Sequence, residues 1–134
     1  LFSTSHPPAV AAACMAAFDV LEEEPERIQK LWDNTRYFKQ GLRAAGFNTG
    51  VSETPITPVI VGEARTAHAL SAALFENGVL ATGIGFPTVP EGRARVRTIV
   101  TATHTREDLD RALEVFARVG RNLGILVGGT GFSL

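Results

Sequence analysis

The chain has 134 residues, 45% of them apolar, a formal net charge of −1 and a single cysteine. That length supports one domain with a real core. The near-neutral charge excludes a basic field for nucleic acid, and one cysteine excludes a disulfide framework. No apolar run reaches membrane-spanning length and no signal peptide shows, so a cytoplasmic protein is expected. The sequence opens on Leu1 rather than Met, which suggests a piece of something longer.

Leu1 to Ser5 reads as an extended lead-in, with hydroxyls at Ser3, Thr4 and Ser5 just ahead of a helix. Ser5 or His6 is the expected N-cap, with Pro7 or Pro8 in the first turn. Hydroxyls beside a helix N-terminus either cap it or bind phosphate, and the residues alone leave both open. Ala9 to Glu23 is predicted helical, with Val10, Cys14, Phe18 and Leu21 on one stripe and alanine around it. So many small residues let neighbours approach closely, and burial on more than one side is expected. Cys14 then reads as a small buried hydrophobe.

Pro25 separates this helix from the longest one, Glu26 to Ala45. Ile28, Leu31, Thr35, Phe38, Leu42 and Ala45 recur at helical spacing, and Trp32 widens the stripe. Arg27, Lys30, Asp33, Arg36, Lys39 and Arg43 line the other side, most simply a solvated face. Lys30 and Lys39 are the only lysines in the chain. Gly46 suits the C′ position.

Phe47 to Val51 reads as a short strand and Thr54 to Val61 as a β run. Pro58 places that run at an edge or near a strand start. Ala64 to Asn77 is a predicted helix with Ala67, Leu70, Ser71 and Leu74 inward, stopped by Gly78. His68 lies beside that stripe without a second metal-ligand candidate at helical spacing, so its role is structural and no metal is expected. Val79 to Thr82 is a short strand. Gly83 to Pro90 is a loop whose path its glycines and prolines specify. It is no P-loop, because no Gly-Lys-Ser/Thr follows.

The next stretch, Glu91 to Thr105, turns at Gly92 and then alternates. Arg93, Arg95 and Arg97 face one way and Ala94, Val96, Thr98 and Val100 the other. Successive guanidinium groups stand roughly 7 Å apart by strand geometry. Two readings remain open: a solvated edge strand protected by its charges, or an anion clamp using the bidentate fork of arginine. Thr105 and Asp108 form a capping-box pattern ahead of a helix with Leu109, Ala112, Leu113, Phe116 and Val119 inward. His104 is expected to hydrogen-bond within the strand-to-helix turn. Gly128 to Leu134 reads as a loose tail. The element order predicts an α+β fold, a small sheet with helices on one face.

Five blocks resemble one family in order: Leu1-Phe-Ser-Thr-Ser-His-Pro-Pro8, Leu31-Trp-Asp-Asn-Thr-Arg-Tyr-Phe38, Thr54-Pro-Ile-Thr-Pro-Val-Ile-Val61, Phe86-Pro-Thr-Val-Pro90 and Ala94-Arg-Val-Arg97. It is the α-oxoamine synthase family of pyridoxal-phosphate enzymes, and the resemblance runs from Leu1 to about Leu126. It implies the C-terminal small domain of a homodimeric fold-type-I transferase, with a small, mostly antiparallel sheet. Residues 1–25 would link to a larger domain, 26–126 would be the small domain, and 127–134 a tail. The cofactor implied is pyridoxal 5′-phosphate. The closest activity implied joins glycine to acetyl-CoA, giving 2-amino-3-oxobutyrate and CoA. A sister activity, alanine with a pimeloyl thioester, shares most of the blocks.

By the same resemblance Arg97 holds the amino-acid carboxylate. Ser3 and Thr4 reach the cofactor phosphate of the partner subunit. The Phe86 to Pro90 loop lies near the substrate channel. The family's Schiff-base lysine has no counterpart here, since Lys30 and Lys39 both sit on a charged helix face, so the chain alone is expected to be inactive. Two other readings stand beside this one. One is a stand-alone binding domain of the same fold, the other an interaction module using the Arg27–Arg43 face.

Overall fold

The structure is a computed structural model that describes residues 4–126. Its elements are α1 (Pro8–Glu23), α2 (Glu26–Ala44), β1 (Ile56–Gly62), α3 (Ala64–Glu76), β2 (Thr82–Ile84), β3 (Ala94–Ile99) and α4 (Arg106–Asn122). The strands form an antiparallel sheet in the order β1-β3-β2. Helix α3 packs against all three strands, and α4 packs on both α3 and α2. This is the expected α+β layer, a small antiparallel sheet with helices packed on one face.

Period-2 and period-3.6 patterning places the core. Val59 and Val96 point inward from the strands and meet Leu70 and Leu74 of α3 and Leu109 and Phe116 of α4, and Ala94 is buried on the same face. Phe116 is fully buried and lies edge-on to Phe38 at 6.0 Å and to Phe47 at 5.8 Å between ring centroids, the offset arrangement that ring quadrupoles favour. Helices α2 and α4 approach closely at Gly41, where a Cβ would lie 2.4 Å from Leu113 Cδ1. Thr105 caps α4 through the predicted box: its hydroxyl accepts from Asp108 N–H, and Asp108 accepts from Thr105 N–H.

Several expectations change. The Arg-bearing strand β3 is the central strand, paired on both sides, so it is not a protected edge. Pro58 does lie on an edge strand, β1. The strand expected at Val79–Thr82 lies later, at Thr82–Ile84. Gly78 takes a left-handed φ of 82° and Val79 N–H closes the end of α3 on Leu74 O, which removes Val79 from the ladder. Phe47 to Val51 forms no strand for a related reason. Phe47 N–H bonds Leu42 O past Gly46, the C′ glycine, and the Phe47 ring enters the core.

The largest difference is α1. None of its residues is buried, and Met15 and Phe18 are each 68% exposed. Cys14 is exposed as well. The expected burial on more than one side does not occur among the described residues, because no neighbouring surface lies against the helix. Ile28, at the start of α2, is exposed for the same reason. The expected tail, 128–134, lies outside the described residues. No helix among the described residues is long and apolar enough to cross a membrane.

Candidate functional site

The sheet face opposite the helices carries Arg95 and Arg97. In register, Arg97 sits between Pro58 and Thr82, and Arg95 between Ile60 and Ile84. An open cavity of about 700 Å³ covers this face. Val51, Thr54, Ile56 and Pro58 line one side, and Ile84, Thr88 and Val89 the other. The predicted loop thus does reach the cavity through Thr88 and Val89. Arg97 also borders a second cavity of about 640 Å³, beside Leu80, Thr82 and Arg111.

Arg97 is exposed, and neither it nor Arg95 has an ion pair among the described residues. Arg95 Nε donates to Arg93 O at 3.1 Å, which turns that side chain back along its own strand. Arg93 precedes the strand and lines neither cavity. Glu53 is the carboxylate at the cavity edge, and it forms no salt bridge with either guanidinium. The floor therefore carries two guanidinium groups without an ion pair, between walls of mixed apolar and hydroxyl side chains with Glu53 at the edge, an arrangement that can hold a small carboxylate bidentately.

Thr4 is exposed, and its hydroxyl makes no hydrogen bond among the described residues. Ser3 lies outside the described residues. The N-cap of α1 is Pro7, not Ser5 or His6, and no side chain caps it. Prolines at the cap and first position lack the N–H groups that make a helix N-terminus an anion site. Arg97 and Thr4 are not brought together: no hydrogen bond joins them, and α1 buries nothing against the sheet.

Of the two lysines, Lys30 is exposed and Lys39 is half-buried. Lys39 Nζ donates to Ser52 O at 2.6 Å and to Thr54 O at 3.5 Å, so it is not the solvated charge expected of it. Burial pushes its pKa down, and the nearby Arg43 charge adds to this. Neither lysine lines either cavity. The residues lining the cavities include a guanidinium that would suit the carboxylate side of a pyridoxal-phosphate site; Thr4, a hydroxyl expected at the phosphate, is not among them. They supply no amine at the cavity for the cofactor carbonyl.

His104 does what the sequence suggested. Its Nδ1 accepts from Thr101 N–H at 3.2 Å. Asn34, buried on α2, donates to Thr101 O at 3.1 Å and to His104 O at 2.9 Å. Sequence reasoning missed Asn34, whose partners lie 67 and 70 residues away. His68 is exposed on α3.

Residues 1–116 match the family described as "Aminotransferase class I and II". The 8-amino-7-oxononanoate synthase of Symbiobacterium thermophilum is 67% identical over 126 residues, covering 94% of this chain and 32% of that protein. A Thermus thermophilus protein named 8-amino-7-oxononanoate synthase/2-amino-3-ketobutyrate coenzyme A ligase is 59% identical over the same shares. Among solved structures, Sphingomonas wittichii serine palmitoyltransferase superposes with a TM-score of 0.86 at 30% identity, covering 94% of this chain and 32% of that one. A structure of SPT with PLP superposes at 0.88 with 28% identity, covering 93% of this chain and 32% of that one. The chain spans about a third of the length of the curated relatives it matches. Pyridoxal 5′-phosphate is the cofactor indicated by these relatives.

Proposed function

The chain belongs to the aminotransferase class I and II family, and from that premise we propose that it is the small domain of an α-oxoamine synthase joining an amino acid to an acyl thioester. Residues 26–126 form that domain, and residues 1–25 join it to the rest of the enzyme. The observation that carries the acyl-transfer reading is the 67% identity to an 8-amino-7-oxononanoate synthase. It favours alanine with a pimeloyl thioester over the glycine and acetyl-CoA reaction of glycine C-acetyltransferase. The second reading is kept because the Thermus relative carries both names.

Bound pyridoxal phosphate would supply an electron sink for charge developing at the amino-acid α-carbon. This chain's own residues bind and orient. Arg97 neutralises the substrate carboxylate and, through its fork, fixes the rotation of the amino acid. Ser3 and Thr4 reach the cofactor phosphate of the partner subunit in a homodimer. The reacting lysine comes from outside this chain, so the isolated chain has no activity.

The test is a mass-spectrometric product assay of the complete enzyme, with alanine or glycine against pimeloyl and acetyl thioesters. A dominant alanine–pimeloyl product is expected. A dominant glycine–acetyl product selects the second reading, and no condensation product with any pair overturns both. In the same enzyme, Arg97→Lys should raise the amino-acid KM and lower kcat, because orientation is lost along with the fork. Arg97→Ala should cost ~3–5 kcal/mol in kcat/KM if it leaves the carboxylate buried and unpaired. Arg95→Ala and Arg93→Ala should have much smaller effects.

A further inference from the structure

The wall of the cavity beside Arg97 is residues 51–54 of the loop joining α2 to β1; Phe47 and Thr49 earlier in the loop are buried, but burial does not hold this stretch in place. Val51 is 96% exposed, and Glu53 and Thr54 are exposed with it. Hydrogen bonds hold it instead. Ser52 Oγ donates to Ile56 O, and Thr54 Oγ1 accepts from Ile56 N–H at 3.3 Å. These bonds stay within the loop and its exit into β1. The loop is anchored on either side of this stretch, by Arg43 Nε to Thr49 Oγ1 at 2.8 Å and Ile60 N–H to Asn48 O at 2.8 Å before it, and by Val100 N–H to Pro55 O at 3.4 Å after it. Within residues 51–54, the tie to the body of the domain is Lys39, whose ammonium donates to the carbonyls of Ser52 and Thr54. The Ser52 bond, at 2.6 Å, is charge-assisted and stronger than a neutral one, while the Thr54 carbonyl lies at the limit of the same ammonium's reach at 3.5 Å.

The register says which part of the cavity that wall serves. Ile56 pairs with Ile99 and Pro58 with Arg97, whereas Arg95 lies farther along, opposite Ile60. The loop therefore enters β1 two residues before the Arg97 row. A shift of Ser52 and Thr54 changes the space beside Arg97 before it changes the space beside Arg95.

We propose that Lys39 is a positioning residue for the group held at Arg97: by gripping the Ser52 and Thr54 carbonyls it sets the cavity wall beside that guanidinium. The inference rests on the reading of Arg97 as the amino-acid carboxylate site. Lys39 touches neither substrate nor cofactor and acts through the loop.

The experiment is steady-state kinetics of the complete enzyme carrying Lys39→Met, Lys39→Arg or Arg97→Lys, varying the amino acid at saturating thioester. Lys39→Met keeps the stem and removes the donors. It should raise the amino-acid KM about tenfold while kcat stays within about twofold. Lys39→Arg retains donors and charge and should return KM to within about threefold of the parent. Hydrogen exchange in Lys39→Met should quicken at the amides of 51–54 and leave those of α4 unchanged. An unchanged KM with a loosened loop overturns the proposal, and so does a general loss of stability with no split between KM and kcat. If Arg97→Lys also leaves the amino-acid KM unchanged, the Arg97 reading has failed and this inference falls with it. If Lys39→Met does not fold, Lys39→Gln, too short to hold both carbonyls, should show the same rise in KM, and an unchanged KM overturns the proposal.

Discussion

Helices α1 and α4 are nearly the same length, 16 and 17 residues, yet they are held in opposite ways. Helix α4 has a reciprocal cap at Thr105 and Asp108, two acidic residues in its first turn and five buried residues. Helix α1 starts on two prolines, has no side-chain cap and buries none of its residues. Helix α1 is the more apolar of the two, yet Val10, Met15, Phe18, Val20 and Leu21 are all exposed. An apolar stripe therefore states that a helix needs a partner surface, and it does not state where that surface is. For α4 the surface is α2 and α3; for α1 it does not occur among the described residues.

The largest expected effect tests this contrast directly. Phe116→Ala should lose ~3–5 kcal/mol of stability in urea unfolding of this chain, because it empties the centre of the Phe38–Phe47 cluster. Phe18→Ala on α1 should stay within about 0.5 kcal/mol, as exposed substitutions do. Equal losses at the two positions would mean that α1 is packed in solution.

Among the described residues the core has one flaw, on β1, and repairing it sharpens the comparison. Thr57 is fully buried in β1, and its hydroxyl has no hydrogen-bond partner among the described residues. Its carbonyl, by contrast, accepts from Thr98 Oγ1 at 2.8 Å. Thr57→Val replaces the orphaned hydroxyl with a methyl of nearly the same shape and should raise stability by ~1–2 kcal/mol. A loss in the same unfolding measurement would show that the hydroxyl has a partner in solution.

What could be read from the sequence follows physical range. The α4 stripe and the Arg row of β3 were legible because periods of 3.6 and 2 are local facts. The capping box was legible because its partners lie three residues apart. The central position of β3 was not, since strand order depends on which edges meet in three dimensions. The misplaced β2 failed at a single hydrogen bond, Val79 N–H to Leu74 O, which competes with the ladder. Lys39 read as a solvated charge because its carbonyl partners lie 13 and 15 residues away, on a loop with no periodicity. The Arg97 position could be argued from alternation and resemblance together. The amino acid and thioester could not be separated, because the blocks carrying the resemblance are shared by both activities.

A smaller effect comes from the cap itself. Thr105→Ala removes the hydroxyl that accepts from Asp108 N–H and should cost ~1 kcal/mol, the usual value of an N-cap side chain. The loss should appear as faster exchange of the first-turn amides of α4. The first turn of α1, which has no side-chain cap to lose, provides the comparison in the same protein.

The last effect is one of pH. The Thr105 backbone N–H donates to Asp108 and, with the Thr105 side chain, holds its carboxyl below the usual aspartate range. A carboxylate whose pKa is depressed by folding binds fewer protons in the folded chain than in the unfolded one. Its contribution is therefore fully present above the unfolded pKa, near about 4 for an ordinary aspartate. It is lost as pH falls through the lower, folded value. Asp108→Asn keeps an acceptor for the Thr105 N–H but removes the titration. The stability difference between the parent and Asp108→Asn should thus be constant from neutral pH down to the usual aspartate range, then shrink as acid protonates Asp108. Thermal unfolding of both proteins across that interval is the measurement. A difference that stays constant into strong acid would mean that Asp108 keeps its ordinary pKa, and that the cap of α4 rests on the Thr105 hydroxyl alone.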